Sequence, residues 1–136
     1  MTIMKNLWLT TFVLVILQAC GGNSNEFTIN GELSNASGEK LYLVELTTDG
    51  TNKVDSVNVG EEGNFTFNGY TNVARFFLVQ SGPRNSVTLV VEPGDEIRLS
   101  GDFDKLGEKY QVEGSEGSRE IMNLRRRLEQ TIANLD

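Results

Sequence analysis

The side chains that carry most enzyme and metal chemistry are scarce in this sequence. Its 136 residues include no histidine and a single cysteine, Cys20. The commonest general base and the commonest metal ligand are therefore both missing. The serines and threonines have no imidazole to activate them, and one cysteine can form neither a Cys-x-x-Cys pair nor an internal disulfide. No phosphate-binding loop and no zinc-ligand cluster is present. Asp102, Asp104 and Glu108 beside Gly107 offer oxygen ligands, but their spacing does not match an EF-hand loop, and a solvated acidic turn is expected. Arg125, Arg126 and Arg127 offer an anion patch. Three consecutive helical positions fan over about 200°, however, so the three cannot converge on one ligand, and they are expected to form a solvated face pairing with Glu129. The aromatic set Tyr42, Phe65, Phe67, Tyr70, Phe76, Phe77 and Tyr110 could build a sugar- or peptide-binding platform. Aromatics at strand spacing are expected in the core instead, with Tyr70, placed in a turn, as the exposed exception and a possible ligand contact. These residues predict a chain that is not an enzyme and needs no cofactor or metal.

Cys20 acquires a role from what precedes it. Lys5 is the one charged residue near the amino terminus, and Leu7 to Leu17 form an eleven-residue, largely apolar stretch. That is the charged and apolar layout of a secretory signal. At about 1.5 Å per residue it is too short for a hydrocarbon core of roughly 30 Å. The segment ends Leu17-Gln18-Ala19-Cys20, which resembles the lipobox of bacterial lipoprotein precursors. The resemblance implies removal of residues 1–19 and lipid attachment at Cys20. Each buried CH₂ contributes about 0.8 kcal/mol, so two or three acyl chains anchor stably where one does not. Residues 20–25 (Cys-Gly-Gly-Asn-Ser-Asn) then form a short flexible tether. The expected location is the cell envelope, lipid-anchored at the outer membrane and facing the periplasm, because no acidic cluster of the kind linked to surface export follows Cys20.

The signal contains one basic residue, so the remaining 117 residues hold 11 basic against 19 acidic side chains, a net charge of −8. Such a chain is sized for one domain and one core. Its acidity argues against nucleic acid and against electrostatic docking on anionic lipid, leaving the acyl chains as the membrane contact.

Short apolar runs separated by turn residues fill most of the rest. Strands are expected over 26–33, 40–46, 53–59, 64–69, 74–80, 86–92, 96–100 and 110–112, with Asp49-Gly50 as a hairpin signal and Pro93-Gly94 as a type II turn. The stretch 101–108 is expected as a loop. Eight strands punctuated in this way predict an antiparallel β-sandwich or barrel over residues 26–114. From Ser118 the period changes: Ile121, Leu124, Leu128, Ile132 and Leu135 recur at helical spacing. Residues 115–136 are expected to form an amphipathic helix of about 18 residues with Ser118 as N-cap. No Gly or Pro stops it before Asp136, so it reads as a connector.

The run Phe27-Thr28-Ile29-Asn30-Gly31, the pair Asp55-Ser56, the run Gly63-Asn64-Phe65-Thr66-Phe67 and Leu89 through Asp95 together resemble one family. It is the uncharacterised β-rich domain that follows the lipobox in Bacteroidota thiol-disulfide oxidoreductase lipoproteins. There it precedes a thioredoxin-like domain of the TlpA or peroxiredoxin type. The resemblance spans residues 26–136 and implies a non-catalytic accessory module whose partner is a thioredoxin-like protein or domain. It places no catalytic residue here, since the family's redox Cys-x-x-Cys lies in the other domain. The alternative is a free-standing lipoprotein that binds a glycan or peptide through exposed aromatics. Asp55-Ser56-Val57 also resembles a periplasmic O-glycosylation sequon of Bacteroidota, with Ser56 as acceptor.

Overall fold

The computed structural model describes residues 25–135. The expected signal, Cys20 and nearly all of the expected tether lie outside them. Eight strands fold into two four-stranded sheets that pack face to face as an open sandwich, without closing into a barrel. They are β1 (Glu26–Ser34), β2 (Lys40–Thr47), β3 (Gly50–Asn58), β4 (Asn64–Tyr70), β5 (Arg75–Gly82), β6 (Asn85–Val91), β7 (Glu96–Asp102) and β8 (Tyr110–Glu113), followed by helix α1 (Glu116–Ala133). One sheet has the order β4-β1-β7-β8 and the other β3-β2-β5-β6.

Alternation decides which side chains face inward. Phe27, Ile29 and Leu33 on β1, Phe65 and Phe67 on β4, and Ile97 and Leu99 on β7 meet Leu41, Leu43, Phe77, Val79, Val87, Leu89 and Val91 from the other sheet in one buried cluster. Two glycines shape the first sheet. Gly31 lies opposite Phe65 and Gly69 opposite Phe27 in the β1–β4 register. A Cβ added at Gly31 would come within 2.1 Å of the Phe65 ring, and one at Gly69 within 2.3 Å of the Phe27 ring. Each ring lies where its cross-strand neighbour has no side chain, an arrangement that covers strand glycines with aromatic surface.

Most neighbours run antiparallel, but β1 and β7 pair in parallel, Ile29 beside Ile97. Alternation is the same for either direction, so the pattern of apolar residues does not distinguish them. The chain reaches this pairing by building the other sheet in between. The Asp49-Gly50 signal makes a tight hairpin in which Thr47 pairs with Gly50, so β3 begins three residues before the expected Lys53. Gly94 has φ 84, as position i+2 of a type II turn requires. The expected loop after β7 contains a short 3-10 turn, Phe103–Lys105. β5 is central in its sheet, but Phe76 points outward and is 51% exposed.

The helix starts earlier than expected. Ser115, not Ser118, is the N-cap, and its hydroxyl accepts from the Ser118 N–H. The sequence Ser-x-x-Ser offers two hydroxyls, and the helical period alone does not choose between them. Beyond Ile121 the expected apolar stripe does not pack on the sandwich. The residues α1 buries are Ser118 and Met122, whereas Leu124, Leu128, Ile132 and Leu135 are 54–78% exposed. The helix touches β6 and β8 with its first turns and then leaves the sandwich. None of the described helices is long and apolar enough to cross a membrane.

Candidate functional site

The two lateral openings of the sandwich are built differently. At one of them β6 and β8 are the edge strands, and α1 lies across them. Ser118 Oγ accepts from the Val90 N–H at 2.8 Å, and Ser115 Oγ donates to the Val90 carbonyl at 2.7 Å. Both outward backbone groups of Val90 are thereby satisfied by hydroxyls of the helix start. The approach is close because position 117 is glycine: a Cβ there would sit 3.0 Å from Val90 Cβ. Further along the same edge, Asn85 ties β6 to the 3-10 turn, donating to the Phe103 carbonyl at 2.6 Å and accepting from the Leu106 N–H at 2.8 Å.

The opposite opening, between edge strands β3 and β4, is uncovered and holds a cleft of about 490 Å³. Its floor is apolar: Phe27, Leu43 and Phe77 are buried there, with the Phe27 and Phe77 rings 5.2 Å apart. Its walls are polar. Arg75 Nη1 donates to Glu45 Oε1 at 2.7 Å, with the Glu45 side chain only 16% exposed. Asp55, Asn68 and Asn72 also line the wall, and Val54 stands beside them on β3. Tyr70 is at the mouth, 62% exposed, with Asn25 Nδ2 donating to its hydroxyl at 3.0 Å. The turn beyond it is fixed by the Thr71 N–H to the Asn25 carbonyl (2.8 Å) and by the Thr71 hydroxyl to the Val73 carbonyl (2.6 Å).

Tyr70 is thus exposed as expected, although it ends a strand instead of lying in a turn. Of the other aromatics, Phe65, Phe67, Phe77 and Tyr110 are buried. The cleft partners Glu45, Arg75, Asn68 and Asn72 carry no sequence signal, because they are brought to Tyr70 from three strands and a turn. Ser56 is exposed on β3, and its N–H donates to Asp55 Oδ1 at 2.7 Å. Cys20 lies outside the described residues.

The acidic stretch 102–108 has a local structural role. Asp102 caps the 3-10 turn, its Oδ1 accepting from Asn35 Nδ2 at 3.1 Å and from the Asp104 N–H at 3.0 Å. These bonds, the Asn35 one foremost, hold its carboxyl below the ordinary range. Among the described residues no group of three or more His, Cys, Asp or Glu could hold a metal. The three arginines diverge. Arg125 pairs with Glu129 at 3.2 Å, and Arg126 donates to the Tyr110 carbonyl at 3.2 Å. Burial pushes the Tyr110 phenol up despite both cations.

A family model for a domain of unknown function (DUF4369) matches residues 27–120, most of the sandwich and the start of α1. The chain belongs to the DUF4369 family. The matched span takes in Ser115 and Ser118 of the β6/β8 closure, stopping short of Met122, and all the lining residues of the Tyr70 cleft. No curated protein and no solved structure matches this DUF4369 chain.

Proposed function

We propose that this DUF4369 chain is a membrane-anchored, non-catalytic interaction module of the bacterial cell envelope, held by lipid on Cys20 and serving a thioredoxin-like protein or domain. The observation that carries the reading is the free face of α1. Leu124, Leu128 and Ile132 share one side of the helix, Leu135 follows just beyond its end, and all four remain more than half exposed; large exposed apolar residues at such spacing are what a partner surface uses. The lipobox-like Leu17-Gln18-Ala19-Cys20 and the absence of histidine support the anchored, non-catalytic half of the reading.

The anchor has a direct test. Metabolic labelling with an alkynyl palmitate should mark the native chain and not Cys20→Ser; equal labelling of both would remove Cys20 from this role. For the partner, a purified thioredoxin-like lipoprotein from the same host should co-elute with the native chain in size-exclusion chromatography. Leu128→Glu should abolish that co-elution, and no co-elution with the native chain would defeat the proposal. O-glycosylation of Ser56 is proposed on its exposure and its Asp55-Ser56-Val57 context; an intact mass equal to that of the unmodified, lipidated chain would retire it.

A further inference from the structure

We propose that the cleft between β3 and β4 is a binding site for a neutral oligosaccharide, with Tyr70 as its stacking platform. The inference is independent of the helix and of any redox partner. It rests on three properties that the cleft combines.

The first is shape and floor. A cleft of about 490 Å³ falls within the roughly 300–1,000 Å³ typical of small-molecule sites. Its apolar floor, Phe27 against Phe77, suits the C–H faces of a sugar ring. Gly69 keeps that floor in place, since any side chain there would collide with the Phe27 ring. The second is an exposed aromatic with a partnered hydroxyl. Tyr70 is exposed at the mouth and Asn25 donates to its hydroxyl, a contact that reduces the ring's conformational freedom before binding. Aromatic faces take polarised C–H bonds well, and a Tyr ring contributes area at low entropic cost.

The third is the polar wall. Glu45, Asp55 and Asn72 supply planar carboxylates and an amide, and Arg75 supplies a guanidinium. Such groups bind vicinal hydroxyls in pairs, because hydroxyls both donate and accept. The sign of the charge selects among sugars. The one guanidinium is already paired with Glu45, and Asp55 adds a second carboxylate. An anionic sugar would meet unfavourable charge, whereas a neutral one would meet only hydrogen-bonding groups. An extended peptide added to the edge of β3 fits less well. The Ser56 N–H is already taken by Asp55, and a register shift between Leu43 and Val44 interrupts the β2–β3 ladder. Strand addition needs a regular free edge.

The test uses the full chain in a non-glycosidic detergent, titrated by ¹⁵N NMR with millimolar cellotriose, maltotriose, mannotriose and chitotriose, and separately with trigalacturonate and an alternating Val-Thr peptide. At least one neutral trisaccharide should shift the amides of Tyr70, Asn72 and Arg75 saturably, and trigalacturonate should not. Tyr70→Ala should weaken that binding about tenfold, the upper end of what an aromatic contact contributes. Tyr70→Phe, which keeps the ring, should stay near the native affinity. The proposal is overturned if no neutral sugar binds, if the acidic sugar binds as tightly, or if the peptide alone occupies the cleft. Unchanged sugar affinity in a folded Tyr70→Ala chain would overturn it as well.

Discussion

The two sides of this sandwich face the same physical problem and answer it in opposite ways. An edge strand presents unpaired N–H and C=O groups that must be hydrated, capped or covered. At the β6/β8 side the chain covers them. Ser115 and Ser118 satisfy both backbone groups of Val90, Asn85 bridges to the 3-10 turn, and Met122 closes the core beneath the helix. One serine does two things there: Ser115 caps α1 through the Ser118 N–H and donates to the strand. At the β3/β4 side nothing covers the edges among the described residues. Charged and polar side chains are placed on them instead, and the Asp55 carboxylate occupies a neighbouring N–H. The closed side is a stability device. The open side leaves polar side chains exposed, and substitutions at those exposed positions should be thermodynamically quiet.

If this division of labour is correct, substitutions at the closed side should cost folding free energy. The largest effect is expected at Gly114, which joins β8 to α1 at φ 86 and has the Glu96 carbonyl 2.1 Å from where a Cβ would sit. Gly114→Ala should destabilise the domain by about 3 kcal/mol in urea unfolding, since both the conformation and the contact oppose a side chain. A loss below the noise of that measurement would mean the junction is not rigid. Met122→Ala should follow at about 2 kcal/mol, near the lower bound for buried large-to-small changes because the site is at the margin of the core. Ser118→Ala leaves the part-buried Val90 N–H without its acceptor and should cost about 1 kcal/mol. Hydrogen exchange at Val90 should accelerate in the same variant. Unchanged exchange would show that the hydroxyl is not what protects the edge.

A smaller effect is expected from Asp102, whose lowered pKa comes from the Asn35 side chain and then the Asp104 N–H. A carboxyl with a depressed folded-state pKa stabilises the fold above the pH where an ordinary aspartate ionises. That contribution is lost as the pH falls through the folded-state value. Asp102→Asn should therefore lower neutral-pH stability slightly and leave low-pH stability nearly unchanged, which flattens the acid limb of the stability profile. The smallest effect belongs to the open side. Tyr70→Ala should lie within about 0.5 kcal/mol of native, as for an exposed residue outside the core. A loss as large as that of Met122→Ala would make Tyr70 a structural residue and erase the contrast between the two sides.

The alternation Phe27-x-Ile29, Phe65-x-Phe67 and Val87-x-Leu89-x-Val91, with Asp49-Gly50 and Pro93-Gly94 between runs, was enough to place eight strands and their inward faces. Period 2 and turn chemistry are local properties written in adjacent residues. The exposure of Tyr70 was also expected, though from a turn placement that the structure replaces with the end of β4. The change of period after Ser118 placed the helix, and the missing histidine removed the commonest general base and metal ligand before any fold was known. Other features depend on residues distant in the chain. The parallel pairing of β1 with β7 joins segments about 70 residues apart, and alternation carries no sign of direction. Which serine caps α1 is settled by Val90, some 28 residues away. The apolar stripe of α1 was legible as a period, but how much of it meets the sandwich was not, because the helix runs past the edge of β6 before most of the stripe can pack. The cleft is further still from any local pattern. Tyr70, Arg75, Glu45 and Asn68 meet because two sheets pack face to face and leave one side open, and only the packed structure brings residues of three strands to that mouth.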